Sequence, residues 1–218
     1  MGAKIKGAGT NEIRIEGVKR LKDISYNIMP DRIEAGTFLC FAASTGGNIE
    51  LENVKPEHLT PIITKLEESG CKIEVDKNDI KLIAPKKLKS IDIKTMPYPG
   101  FPTDMQSVFG AMLSTAKGTS IIVENIFENR YKYMQELNKM GAKITIEGKS
   151  AIIRGVKRLY GATVKSTDLR GGVALVLAGM SAKGITIVEN IEYILRGYEQ
   201  LDKKIQSLGG NIEIGKNI

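Results

Sequence analysis

A single histidine and two cysteines among 218 residues leave little room for nucleophilic or metal chemistry. His58, in "VKPEHLTP", has no partner in sequence that would tune it as a base and reads as a surface residue. Cys40, in "FLCFAAS", and Cys71, in "SGCKIEV", have no Cys or His at metal-ligand spacing. Both read as buried thiols, and neither a disulfide framework nor a metal or other cofactor is expected. Carboxylates and guanidinium groups remain. Asp104 stands in "FPTDMQ", at the mouth of the small and apolar run "SVFGAMLSTAKG". Thr103 or Asp104 can cap a helix there by accepting hydrogen bonds from its free first-turn amides. Arg32, in "PDRIE", and Arg170, in "TDLRGG", hold similar places at the heads of two other apolar runs. An ion pair with a nearby acid and the binding of an anionic ligand both account for them. Arg196 breaks the apolar stretch "YILRGYE", where anion contact is easier to argue than a structural role.

The charge balance is basic, +7 from 32 Lys and Arg against 25 Asp and Glu. The Lys-rich pieces "GVKRLK", "PKKLKS" and "GVKRLYG" fall between strand-like segments, lack interleaved aromatics and match no nucleic-acid module. A solvated surface or a site for an anionic small molecule explains the excess. No apolar run approaches the roughly 18 residues of a membrane helix, and the first residues lack a signal-peptide core, so a cytoplasmic protein without a membrane partner is expected.

What positions these groups is a repeat. The turns "MGAKI", "SGCKI", "MGAKI" and "LGGNI" place Gly2, Gly70, Gly141 and Gly209 about seventy residues apart. "ELENV", "IVENI" and "IVENI" carry Asn53, Asn125 and Asn190 at the same step, and "GVKRL" at Gly17 recurs at Gly155. Each unit opens with an apolar segment of small residues: "RIEAGTFLCFAAS", "MQSVFGAMLSTA" and "LRGGVALVLAGMSA". A helix apolar around most of its circumference must be surrounded by protein, so these are expected to be interior helices. A β-branched strand follows, then an amphipathic helix; in the first unit Leu59, Ile62, Ile63 and Leu66 keep the i, i+3, i+4, i+7 pattern. Gly70, Gly141 and Gly209 suit left-handed helix stops, and "KIEVDKNDIKLIA" and "KITIEGKSAIIRG" read as hairpins. The expected class is α/β: one domain over residues 1–218, with repeats 29–95, 96–164 and 165–218, helices inside and sheets outside, and a hairpin at 1–28.

Six ordered motifs, "MPDRIEAGTF", "FPTDMQ", "FENR", "TDLRGG", "LRGYE" and the "GAKI" turns, resemble the carboxy-terminal half of the UDP-N-acetylglucosamine 1-carboxyvinyltransferase family of enolpyruvyl transferases. The resemblance spans the whole chain and implies an inside-out α/β barrel, one of two such domains that close on substrate. The implied reaction moves the enolpyruvyl group of phosphoenolpyruvate to the 3-hydroxyl of UDP-N-acetylglucosamine, an early step of peptidoglycan precursor synthesis. It needs a base, an acid for the methylene carbon, and cations for phosphate and carboxylate. By the resemblance, Asp104 is the candidate base at the sugar 3-hydroxyl and doubles as a helix cap. Ile126 and Phe127, in "ENIFENR", line the amino-sugar site, with Arg130 on the same turn. Asp168, Arg170 and Arg196 face the phosphoenolpyruvate side, Arg196 most directly.

The resemblance also implies a missing partner, the amino-terminal domain that carries the family's catalytic cysteine and most nucleotide contacts. Cys40 and Cys71 fall at core positions and do not replace that cysteine. Residues 1–28, with strands expected in "NEIRIEG" and "DISYNI", are expected to pair with "GGNIEIGKNI" and close the ring. An enolpyruvyl transferase domain inactive by itself is the leading reading. A binding or scaffold module that kept the fold and lost the reaction is the alternative, and a phosphate-binding role toward nucleic acid is a third.

Overall fold

The computed structural model describes residues 1–10 and 12–215. Positions 11 and 216–218, which fall in two of the segments expected to pair, lie outside the described residues. The chain divides into two compact units, Met1–Pro30 and Asp31–Ile218.

In the first unit, strands β1 (Lys4–Lys6) and β2 (Arg14–Glu16) pair antiparallel, with Ile5 opposite Ile15. Gly7 and Gly9 turn the chain at positive φ, and Thr10 donates through backbone and hydroxyl to the Gly7 carbonyl. Asp23–Ile28, expected as a strand, has no regular structure. Later strands at the corresponding place each have a parallel neighbour to satisfy their backbone groups, and the described residues of this unit supply none.

The second unit begins with α1 (Arg32–Thr45), β3 (Asn48–Leu51), α2 (Thr60–Glu68), β4 (Lys72–Asp76) and β5 (Asp79–Ile83). The same order returns as α3 (Thr103–Leu113), β7 (Thr119–Val123), α4 (Lys132–Lys139), β8 (Lys143–Glu147) and β9 (Ser150–Arg154), preceded by the short β6 (Ile93–Lys94). The last stretch runs β10 (Thr163–Lys165), α5 (Leu169–Ser181), β11 (Ile187–Glu189), α6 (Glu192–Leu195) and α7 (Leu201–Ser207). The sheets have the orders β3-β5-β4, β6-β7-β9-β8 and β10-β11. β6 and β10 join the strand that follows them in parallel, whereas the hairpins are antiparallel.

The apolar runs are helices, and they pack against one another: α1 on α3, α1 on α5 and α3 on α5. In α3 every residue from Met105 to Leu113 is buried, and in α5 every residue from Gly171 to Ala178. Leu39, Met105, Val108, Phe109, Met112 and Leu175 are fully buried, each contributing about 1.5–3 kcal/mol of transfer free energy. Close approach requires glycine. A methyl group on Gly110 would overlap the buried hydroxyl oxygen of Tyr133.

The amphipathic helices bury one face, Ile62 and Leu66 in α2 and Tyr133, Met134 and Leu137 in α4. Gly70, Gly141 and Gly209 all have positive φ, and each follows the last turn of α2, α4 or α7. Behind them the amides of Cys71, Ala142 and Gly210 donate to Leu66, Leu137 and Ile205, the long hydrogen bond of a Schellman stop. Cys40 and Cys71 are buried, free thiols, and burial pushes both pKa values up. Among the described residues no helix is long and apolar enough to cross a membrane, and no group of three or more His, Cys, Asp or Glu could hold a metal ion.

Candidate functional site

The three buried helices begin differently. Asp31 caps α1, its carboxylate accepting from the amides of Ile33 (2.7 Å) and Glu34 (3.3 Å). Asp168 caps α5, accepting from the amides of Arg170 (3.0 Å) and Gly171 (2.8 Å). At α3 the capping place is held by Pro102, which has no polar side-chain atom, and no side chain caps the helix. The cap expected from Thr103 or Asp104 is therefore not made. Two guanidinium groups take the Asp104 carboxylate instead.

Arg130, in the loop between β7 and α4, donates Nη2 to Asp104 Oδ1 at 2.7 Å. Arg170, second residue of α5, donates Nη2 to Asp104 Oδ2 at 3.0 Å. The α3–α5 contact that permits this is pinned by Ser107 Oγ, donating to the Arg170 carbonyl at 2.8 Å. Side-chain exposure is 37% for Asp104 against 17% for Arg130 and 14% for Arg170, so the carboxylate is the member most open to an incoming molecule. Burial works to raise the Asp104 pKa, but the Arg130 hydrogen bond and the charges of Arg170 and Arg130 outweigh it and hold the carboxyl below its ordinary value.

Arg170 is braced from behind. Its Nη1 donates to the Tyr198 hydroxyl (3.2 Å), which shares a hydrogen bond with Thr37 Oγ1 of α1 at 2.9 Å. Burial opposes the Arg170 charge, yet Tyr198 and Asp104 raise its pKa overall. Burial likewise raises the Tyr198 phenol. Arg130 is braced by Thr103, whose Oγ1 accepts from Nη1 at 2.8 Å, and by the Phe127 ring, whose centroid lies 4.7 Å from the guanidinium carbon.

The loop carrying Arg130 also presents Ile126 and Phe127, exposed at 39% and 54%. Isolated apolar side chains on a surface are ordinary; here they sit on the loop that reaches Asp104. The loop turns on Glu124, a residue that no motif singles out. This side chain is 1% exposed and accepts from Thr95 Oγ1 (2.8 Å), Thr103 Oγ1 (2.8 Å) and the amides of Ile126 (2.8 Å) and Phe127 (3.2 Å). Tyr131 closes the loop, its hydroxyl donating to the carbonyls of Ile122 and Lys149; burial pushes its pKa up to about 12. The available signal for Glu124 was an acid at the end of a β-branched strand in "IVENI", beside the landmark Asn125.

Asp104, Arg130 and Arg170 are thus brought together by side-chain contact, and Asp168 joins them through the Arg170 backbone. Arg196 is not among them. It follows α6, is exposed, and lies over the Tyr193 ring at 5.7 Å, with no ion-pair partner among the described residues. Arg32 stacks on Tyr98 at 5.5 Å.

Buried helices packed on one another with sheets beside them, and two arginines closed on one carboxylate, define a mixed α/β protein. A family model described as EPSP synthase (3-phosphoshikimate 1-carboxyvinyltransferase) matches residues 1–205. A UDP-N-acetylglucosamine 1-carboxyvinyltransferase of Desulfofundulus thermocisternus is 54% identical over 97% of this chain and 88% of its own length. UDP-N-acetylglucosamine 1-carboxyvinyltransferase 1 of Caldanaerobacter subterraneus subsp. tengcongensis is likewise 54% identical, over 97% of this chain and 51% of its own length. The chain belongs to the UDP-N-acetylglucosamine 1-carboxyvinyltransferase family, whose members are transferases of the enolpyruvyl transferase group. It spans about half the length of most of the curated relatives it matches. Among solved structures, the enolpyruvyl transferase NikO from Streptomyces tendae shares the fold with a TM-score of 0.84 at 24% identity, over 96% of this chain and 50% of that one. EPSP synthase from Acinetobacter baumannii does so with a TM-score of 0.77 at 21% identity, over 99% of this chain and 53% of that one.

Proposed function

We propose that this chain is the carboxy-terminal, sugar-side half of an enzyme that transfers enolpyruvate from phosphoenolpyruvate to the 3-hydroxyl of UDP-N-acetylglucosamine in peptidoglycan precursor synthesis. In this reading the protein is cytoplasmic, the domain is an inside-out α/β barrel of three repeats, and an amino-terminal domain supplies the rest of the cleft. The observation that carries the proposal is the Asp104 carboxylate, held between Arg130 and Arg170 yet the most exposed of the three.

A carboxylate with a lowered pKa is a weak base toward an alcohol, so it takes the proton only as the hydroxyl becomes acidic during attack on the enol carbon. Arg130 and Arg170 leave the Asp104 cluster with one net positive charge, suited to the phosphate or carboxylate of phosphoenolpyruvate. Arg196, exposed and without an ion-pair partner among the described residues, is assigned to the same anion. Ile126 and Phe127 line the amino-sugar subsite, Asp168 fixes the backbone that carries Arg170, and the reaction needs no cofactor.

The test combines ligand titration with complementation. UDP-N-acetylglucosamine should shift amide resonances of residues 103–104 and 126–127, which a module with no memory of this ligand would not show. Phosphate release from phosphoenolpyruvate should require this chain together with the amino-terminal half of a relative. Turnover by this chain alone, or none on complementation, overturns the proposal.

A further inference from the structure

Glu124 is a carboxylate taken out of water with no cation within ion-pair distance among the described residues. Such burial is costly unless every lone pair is engaged, and the engagement here is unusually directed. A carboxylate only accepts, so all of its partners must donate: the hydroxyls of Thr95 and Thr103 and the amides of Ile126 and Phe127. For Thr103 this decides where its single proton points. The Thr103 hydroxyl gives its hydrogen to Glu124 at 2.8 Å, which leaves its lone pairs for Arg130 Nη1, also at 2.8 Å. The order Arg130 to Thr103 to Glu124 is therefore polarised in one direction, and Arg130 passes its second nitrogen to Asp104.

Glu124 reaches Arg130 by a second route. The amides that it holds belong to the turn carrying Phe127, whose ring lies under the guanidinium. One buried carboxylate thus sets both the hydrogen-bonding acceptor and the aromatic platform of the arginine that grips Asp104.

We infer that Glu124 is a positioning residue of the site: through Thr103 and the 126–127 turn it fixes Arg130, and through Arg130 it fixes the orientation and proton affinity of Asp104. The inference rests on Asp104 being the group that meets the sugar hydroxyl. Its own test requires neither ligand nor turnover, so the two readings fail separately.

The experiment follows the Asp104 carboxyl carbon by NMR in the intact 218-residue chain as pH is varied, its signal identified by its loss in Asp104→Asn. In Glu124→Gln the amide nitrogen replaces an acceptor with a donor, so the Thr103 oxygen must accept from the amide and from Arg130 at once and its hold on Arg130 weakens. In Thr103→Val the relay alone is cut while the other bonds to Glu124 stay. Both variants should raise the Asp104 titration midpoint by about half a unit or more, the order expected when an opposite charge loosens its hold. A purely structural staple would lower the thermal midpoint and leave this titration in place. An Asp104 midpoint that moves by less than about half a unit in Thr103→Val overturns the inference even if Glu124→Gln fails to fold. Where Glu124→Gln does fold, an unmoved midpoint in that variant overturns it equally.

Discussion

The start of α3 and the starts of α1 and α5 solve the same problem with opposite outcomes. Each buried helix exposes free first-turn amides, and Asp31 and Asp168 spend their carboxylates on them. At α3 the capping position is Pro102, and the acid is displaced two residues into the helix, where its carboxylate turns outward to Arg130 and Arg170. An aspartate that caps is saturated by its own backbone; one moved inward by two residues is available to a neighbour. Whether an aspartate at a helix start is taken up by its own backbone or by side chains from elsewhere is therefore a matter of register along the helix, not residue type.

The sharpest way to break this comparison is to neutralise each acid in turn. In the complementation assay with the amino-terminal half of a relative, Asp104→Asn should lower turnover by about 10²–10⁴-fold, the usual worth of a positioned acid or base. Asp31→Ala should leave the rate within about threefold and act on folding instead. Its cost should be about 0.5–2 kcal/mol in urea unfolding, the range measured for lost caps. If Asp31→Ala lost as much turnover as Asp104→Asn, the division between the two kinds of helix start would collapse.

A smaller effect concerns pH. The folded-state pKa of Asp104 is depressed, so its ionised form adds stability that is fully present above the unfolded carboxylate value of about 3.9 and is lost as pH falls through the lower folded value. The stability difference between the native chain and Asp104→Asn should accordingly be constant near neutrality and shrink on acidification below about pH 4, read from urea midpoints across that window. A difference that grows on acidification has the wrong sign. The smallest change expected is for Arg196→Ala, which removes an exposed guanidinium lying over Tyr193 and should alter stability by no more than about 0.5 kcal/mol.

A second contrast, between the middle and last segments, shows how far repetition can be trusted. In the middle segment β7 pairs with β9, and Ile122, Ala151 and Ile153 are fully buried. In the last segment β11 has, among the described residues, only β10 beside it, and Ile187, which follows the same "IVEN" pattern as Ile122, is 55% exposed. Ile122→Ala should cost about 2–5 kcal/mol and Ile187→Ala well under half of that. Equal costs in thermal unfolding would show that the two strands are covered alike in solution.

Much of this architecture was legible because its signals are local. Apolarity around the full circumference marked α1, α3 and α5 as interior, the four-residue periodicity marked the buried face of α2, and glycine at fixed steps marked the left-handed stops. The residues gathered at Asp104 were legible only in part. Arg130 and Arg170 stood out through their motifs, but nothing in local sequence said that both would close on the same carboxylate, because the contact spans 66 residues between Arg170 and Asp104.

The sequence by itself determined where the buried helices, hairpin strands and glycine stops of the second unit fall, since propensity, periodicity and the backbone freedom of glycine act over a few residues. Only the tertiary structure decided what the acids do. Glu52, Glu124 and Glu189 end three similar strands, yet Glu52 is exposed, Glu189 lies 3.3 Å from Lys165, and Glu124 is buried beneath four donors. Hydrogen bonding and charge depend on which side chains arrive from distant parts of the chain, and that is settled by how the helices pack.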